Sequence, residues 1–566
     1  MKKTLAAFYL AGFLFLSTFS SCGPSPSKDH IANDSLSIAS GSILFQKNCS
    51  SCHNFRQDGI GPDLSGVTKI DSVSWLKEFI RDPKSQVASG DAHAKKLLDR
   101  FHTLMPSFAA LTDSQINQLL SYLYAQPAHQ KRKVDPLAIK DPVPEKIAAS
   151  NIVAGLKLFA HMPATSDKKP LTRISKMDWV PAAKTYFVLD QRGLLYKLLN
   201  GKPVLWLDIS RWKPKFINEP GLATGFGSFA FHPDFARNGI FYTTHSESPH
   251  SKKADFPIPD SIKQTVQWVL CEWKMPNPTA PVFSGTNREL LRIDMVAGIH
   301  GVQEIIFNPG ARPGDADYGN LYIGIGDGGS VENGYAFLTR HPQRVWGTIL
   351  RINTMGKNSA NGQYGIPSSN PFVKNSDSNT VREIYADGFR NPNRITWTNK
   401  GLMIATNIGQ ASIEAIDIIQ KGNHYGWPTR EGRFTMHPDG DINNIYVLPA
   451  NDSIFHISYP VAVFDHDEGN AIEGGFEYQG KTITELKGKY VFGDIPSGRL
   501  FYITLSDLKS GTLAPVKEWF VSFNGKKIAL RTLCGEERVD LRFARDENGE
   551  LYIFTKPDGK IYKLIP

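Results

Sequence analysis

A strand–turn–strand pattern recurs through most of this 566-residue chain and restricts its fold more than any other feature. An alternating apolar strand, a polar turn carrying Pro, Asp or Gly, and a second strand occur in Met177 to Val188, Gly227 to Tyr242 and Gln303 to Ile323. Asn393 to Ile404 and Val539 to Ile553 repeat it, and Lys487 to Tyr502 supplies a further strand pair. One antiparallel unit recurring at uneven spacing reads as an array of small sheets. Radial closure leaves only short edges, so an all-β six-bladed β-propeller is predicted for residues 151–566, with a multi-sheet sandwich as the alternative. The last strands, Leu551 to Leu564, are expected to complete a sheet begun near Ile152, and Thr244 to Glu289 reads as the longest insertion. The 48 glycines and 36 prolines agree with a turn-rich β architecture.

Ahead of this array stands Cys49-Ser50-Ser51-Cys52-His53. Two cysteines spaced C-x-x-C and followed by histidine form a c-type haem attachment site. One thiol adds to each haem vinyl group, and His53 becomes an iron ligand. Met105, in Leu104-Met105-Pro106, is the expected opposite ligand, with His93 and His102 as rivals that would give a bis-histidine haem. Helices are predicted over Gly41 to Asn48 and Ser72 to Arg81. Thr112-Asp113-Ser114-Gln115 starts a capped helix whose stripe is Ile116, Leu119, Leu120 and Leu123. Residues 38–127 resemble a monohaem class I cytochrome c, a small all-α domain. In that family the proline of a loop like Gly61-Pro62-Asp63-Leu64 accepts a hydrogen bond from the histidine ligand.

The N-terminus (1–21) has a signal-peptide pattern: Lys2 and Lys3, then a short apolar run from Leu5 to Leu16. Small residues before Cys22 resemble a bacterial lipobox, which implies a lipid-anchored protein on the periplasmic face of a membrane; an ordinary cleaved signal is the alternative. Residues 22–37 read as a tether and 128–150 as a Pro-rich linker containing Lys131-Arg132-Lys133. A net charge of +9 over this length, without basic clusters interleaved with aromatics, argues against a nucleic-acid partner. Cys271 and Cys534 remain, either paired or as two buried thiols.

Within the array, five motifs occur in order: Gly227 to Phe235 (GSFAFHPDF), Gly324 to Gly329 (GIGDGG), Gly347 to Asn353 (GTILRIN), Gly388 to Pro392 (GFRNP) and Gly422 to Pro428 (GNHYGWP). Together they resemble the soluble quinoprotein glucose dehydrogenase, or sugar/sorbosone dehydrogenase, family. That resemblance implies oxidation of a sugar hydroxyl with pyrroloquinoline quinone and calcium. It places a catalytic base at His300 and an orienting aspartate at Asp327. Arg390 and Asn391 would contact the quinone, and the Gly409 and Gln410 carbonyls would hold calcium. Histidine suits a base working near neutral pH, although a hydrogen-bonded core histidine is the simpler alternative for His300. His232 reads as a structural turn histidine. The chain departs from the family where a cofactor-binding lysine is expected, near Pro496, and at Glu536-Glu537, where arginines are expected. Arg499, Arg538 and Arg394 are the candidates to replace those cations.

The sequence thus reads as a membrane-anchored dehydrogenase that oxidises a sugar-like substrate, reduces its own haem c and passes electrons to a downstream one-electron acceptor. The alternative is a non-enzymatic ligand- or protein-binding propeller carrying an electron-transfer cytochrome.

Overall fold

The computed structural model describes residues 31–101, 103–128 and 135–566. The signal segment, Cys22, His102 and the basic run 131–133 lie outside the described residues. Among the described residues no helix is long and apolar enough to cross a membrane.

The N-terminal domain is helical. Its first helix, Ser35–Asn48, starts ahead of the expected Gly41 because the Asp34 side chain caps it, accepting from Ser37 N at 2.9 Å. Ser72 caps Val73–Arg81 in the same way, and Thr112 and Gln115 form the predicted capping box before Asp113–Tyr124. The first and last helices cross at Gly41, where a Cβ would lie 1.9 Å from Gln118 O. Only glycine permits that approach. It brings Phe45 against Ile116, Leu119, Leu120 and Leu123, the predicted stripe, which is buried throughout.

The large domain is all-β. Its sheets follow one another along the chain, and each sheet's leading strand packs against the next. These inner strands are Ile174–Val180, Phe226–Phe231, Glu304–Phe307, Pro392–Trp397, Ile472–Glu477 and Arg542–Arg545, and the last returns to the first to close a ring. Ala148–His161 pairs antiparallel with Lys560–Ile565, so an early strand completes the final sheet as expected near Ile152. The segment Thr244 to Glu289 is not one insertion, since it contains the strand Val266–Lys274 with the buried Trp268 and Trp273. Lys487 to Tyr502 covers the second and third strands of its sheet, because the inner strand is Ile472–Glu477. Two glycines hide that inner strand's pattern. A Cβ on Gly475 would stand 1.7 Å from Val491 O, and one on Gly474 would meet Arg394 Cβ at 2.5 Å.

Aromatic side chains fill the wedges between sheets: Trp206 lies 5.0 Å from Phe187 and 4.9 Å from Phe241, with Trp273 stacked beyond. The ring's centre is polar. Lys176 meets Glu304 at 2.5 Å, Arg394 bridges Glu304 and Glu473 at 3.2 Å each, and Arg542 meets Glu473 at 3.2 Å. Alternating charges on successive inner strands stitch the ring, and removing one partner of such a buried pair costs about 3–5 kcal/mol. Cys271 and Cys534 are both free thiols, buried in separate apolar clusters.

Candidate redox site between the two domains

Cys49 closes the first helix, its N–H donating to Phe45 O at 2.8 Å. The chain then turns so that Cys52 N and His53 N both donate to Cys49 O at 3.0 Å. One turn of backbone therefore presents both free thiols and the imidazole, the donor set that covalent haem attachment needs. The His53 ring donates from Nδ1 to Pro62 O at 2.9 Å, which leaves Nε2 as the nitrogen that would ligate a haem iron. Met105 packs in the same apolar cluster as Phe45 and Cys49. His93 is engaged elsewhere, edge-on to Trp75 and 3.4 Å from Asp71. Gly61 lies flat against the imidazole, where a Cβ would stand 2.4 Å from His53 Cε1. Gly61→Ala should therefore tilt the ring, giving an altered or lost low-spin haem spectrum in visible absorbance while the large domain keeps its fold.

On the ring, His300 precedes the inner strand Glu304–Phe307, and Asp327 follows the neighbouring strand Asn320–Ile325. Antiparallel pairing brings the two ends together, and His300 Nδ1 lies 2.7 Å from Asp327 Oδ1. The His300 backbone is left-handed (φ 47°), and a Cβ on Gly326 would lie 2.4 Å from His300 O. Gly326 is thus needed for that close approach. Asp327 is fully buried, and its Oδ1 also accepts from Gly329 N at 2.9 Å. Burial pushes its carboxyl up, but His300 and Arg390 outweigh that, so the group sits below the usual carboxylate range. Asp327 is then a carboxylate that accepts from His300 Nδ1–H, and Nε2 is the ring nitrogen not engaged by it.

Arg390 belongs to the same cluster through its backbone, since Asp327 N donates to Arg390 O at 2.8 Å. Its guanidinium donates to Glu332 Oε1 at 2.7 Å and to Gln410 Oε1 at 2.9 Å, and lies 5.9 Å over Trp427. Asn391 is buried beside it, and Asn391 N donates to Asn407 Oδ1 at 3.0 Å. Glu332 escaped sequence reasoning; its signal was an acid five residues beyond Asp327 in the same glycine-rich turn. In the Gly409–Gln410 turn, the N–H groups of residues 410–413 all donate to Glu431 Oε1. His232 is a turn residue, accepting from Asp234 N at 3.0 Å.

The expected replacement cations separate. Arg499 is held by Glu518 (2.9 Å) and Glu468 (2.5 Å), and Arg394 lies in the ring's central charge chain. Arg538 pairs with Asp540 at 2.9 Å and acts electrostatically on Cys52. Near it is Lys556, which the sequence reading missed. Its Nζ donates to the neutral Gln191 at 2.8 Å. Burial, opposed by Asp540 and reinforced by Arg542, Arg538 and Arg173, lowers it to about 7. Lys556 is thus a buried amine whose side-chain hydrogen-bond partner is a neutral amide.

Behind the Gly409 turn lies a cavity of about 20 Å³ lined by Arg390, Asp417, Trp427 and Glu431. Burial raises the Asp417 carboxyl to about 8. Folded chains hold this proton, and unfolded chains release it above the ordinary value of 3.8, so the group's contribution to stability falls as pH rises from about 4 to 8. Asp417→Asn should match the wild type in urea unfolding near pH 4 and exceed its midpoint at pH 8.

The two domains meet over this cluster. A cavity of about 270 Å³ is lined by Cys52, His53 and Arg56 on one side and by His300, Glu332 and Arg390 on the other. Gln57 Nε2 donates to Glu332 O at 3.3 Å, and Asn443 Nδ2 donates to Asp58 O at 3.2 Å. Gly334 allows the Arg56 guanidinium to lie flat on the ring, since a Cβ there would sit 2.3 Å from its Nη1.

Residues 177–563 match the glucose/sorbosone dehydrogenase family model, and residues 38–126 match that of cytochrome c. The chain belongs to the glucose/sorbosone dehydrogenase family. It is a sugar-dehydrogenase-like domain behind a cytochrome c domain, and the latter implies one haem c. The aldose sugar dehydrogenase YliI of Escherichia coli is 30% identical over 414 residues, covering 67% of this chain and 88% of that protein. Quinoprotein glucose dehydrogenase B of Acinetobacter calcoaceticus is 26% identical over 317 residues, covering 51% of this chain and 58% of that protein. Like the latter, several curated relatives are matched over only about half of their length. Among solved structures, the apo-form of the soluble E. coli aldose sugar dehydrogenase aligns with 73% of this chain and all of that one, at 18% identity and a TM-score of 0.48.

Proposed function

We propose that this glucose/sorbosone dehydrogenase family member oxidises a sugar-like hydroxyl at the mouth of a six-bladed β-propeller and delivers the electrons to its own haem c. The observation that carries this reading is the shared cavity: His300 and Arg390 line it together with Cys52 and His53. The substrate hydroxyl gives its proton to His300 Nε2, and Asp327 holds the resulting imidazolium through Nδ1. Arg390 places positive charge where negative charge develops. Pyrroloquinoline quinone, when bound, would accept the hydride and its two electrons. The residues that line the cavity fit that group at its reacting end: His300 is a base oriented by Asp327, and Arg390 supplies a guanidinium. Calcium at the Gly409 and Gln410 carbonyls belongs to the same proposal. Haem held by Cys49, Cys52 and His53 would belong to the same molecule as the His300 site, which makes the first transfer step intramolecular. Export and acylation at Cys22 would place the protein on the periplasmic face of a membrane, where a soluble or membrane-bound one-electron acceptor takes the electrons onward.

The test is to add quinone, calcium and a panel of aldoses to the oxidised protein while following the haem absorbance. Reduction by at least one sugar, only with quinone present, is expected. One observation favours the second reading, a binding propeller that carries a cytochrome: Glu332 already neutralises Arg390. Sugar or protein binding without quinone binding in calorimetry would select it.

A further inference from the structure

We propose that the segment joining the two domains is fastened to the ring by a calcium ion held between Asp141, Asp465 and Asp467. One ligand atom from each of these carboxylates lies within 4.8 Å of the other two. Asp465 ends the strand Ala462–Asp465 and is only 2% exposed. Its Oδ2 accepts from Val143 N at 3.2 Å, whereas its Oδ1 is buried with no hydrogen-bond partner. A buried carboxylate oxygen without a donor, beside two further carboxylates, is unfavourable unless a cation joins it. Lys146 Nζ bonds Asp467 Oδ2 at 2.9 Å and acts on Asp465 only through its charge, making no hydrogen bond to Oδ1. Asp141 and Asp467 are exposed, so an ion can enter from solvent and keep several waters.

The donor set selects the ion. Calcium takes about six to eight oxygen ligands in a flexible geometry that mixes carboxylates with waters, whereas magnesium demands a near-ideal octahedron and is usually held by one or two carboxylates. The proposed ion is distinct from calcium at Gly409 and Gln410, and it rests on groups outside the redox cavity. Its consequence is mechanical. Residues 141–147 already touch the ring through Val143, Lys146 and the Ile147 N–H to Glu468 at 3.3 Å. They lead directly into the strand Ala148–His161. An ion there fixes the chain that leaves the cytochrome domain and so holds that domain over the cavity.

The experiment is a calorimetric titration of chelator-treated, full-length haem protein with calcium chloride, comparing wild type with Asp465→Asn and Asp141→Asn. Each variant is expected to bind one equivalent fewer than wild type. Calcium should also slow proteolysis between residues 135 and 147 in wild type but not in the variants. Asp141→Asn, at an exposed position, keeps the test decisive if Asp465→Asn folds poorly. Superimposable titrations, or calcium protection that survives both substitutions, would overturn the site. Equal competition by magnesium would overturn the choice of ion. Neither readout uses quinone or sugar, so failure here is separable from failure of the proposed oxidation.

Discussion

Replacing His300 by Asn is expected to cut sugar-driven reduction of the haem by about 10²–10⁴-fold, the range lost with a positioned general base. Reduction of the same haem by dithionite should be unchanged. The argument rests on which nitrogen is free. Asp327 Oδ1 accepts a hydrogen bond from Nδ1–H at 2.7 Å, so Nε2 is the acceptor for the substrate hydroxyl. Asn cannot take up that proton at neutral pH. Asp327→Asn tests the same arrangement from the other side. An amide can present its NH₂ to Nδ1 and so favour the tautomer whose proton sits on Nε2. The expected result is a fall in kcat with the quinone affinity preserved. Equal kcat in Asp327→Asn and wild type would show that Asp327 does not orient the base.

Arg390→Ala should have two separable effects. The first is on stability: Glu332 would be left buried and unpaired, and breaking a buried ion pair from one side costs about 3–5 kcal/mol. The second is on rate, with a loss of about 10²–10³ when one preorganised charge-stabilising group is removed. The double variant Arg390→Ala, Glu332→Gln separates them. Urea unfolding should return most of the way to wild type, because the orphaned charge is gone, while turnover stays low. Arg390→Lys should rescue stability better than turnover, since an ammonium cannot engage Glu332 and Gln410 together in the fork geometry of the guanidinium. If the double variant regains activity along with stability, Arg390 acts only by holding the fold.

Much of this was legible in the residue order, because the physics involved is local. Thr112 and Gln115 announce a helix start, and the hairpins around Gly227, Gln303, Asn393 and Val539 show period-two alternation. The turn at Cys49 to His53 needs no distant partner. His300 and Asp327 are 27 positions apart yet meet, because each sits at the end of one of two paired strands. What stayed hidden depends on distant packing. Glu332 looks like an ordinary turn acid until Arg390 arrives from the next sheet. Arg499 looks available until Glu468 and Glu518 close on it. The inner strand Ile472–Glu477 carries two glycines that backbone crowding requires, and these erase its alternation. Lys556 was passed over because its significance lies in what surrounds it in space: Arg538, Arg542, Arg173 and Asp540. No local signal marks the docking of Gln57 on Glu332, although it is what places the haem-attachment turn over the cavity.

The central claim is that sugar oxidation and haem reduction occur within one molecule. It is tested most directly by stopped-flow measurement of haem reduction in the quinone-loaded protein over about a hundredfold range of protein concentration at saturating sugar. A first-order rate constant unchanged by dilution, and lost in His300→Asn, is predicted. A rate that scales with protein concentration, or a haem that stays oxidised while sugar is consumed, would contradict it.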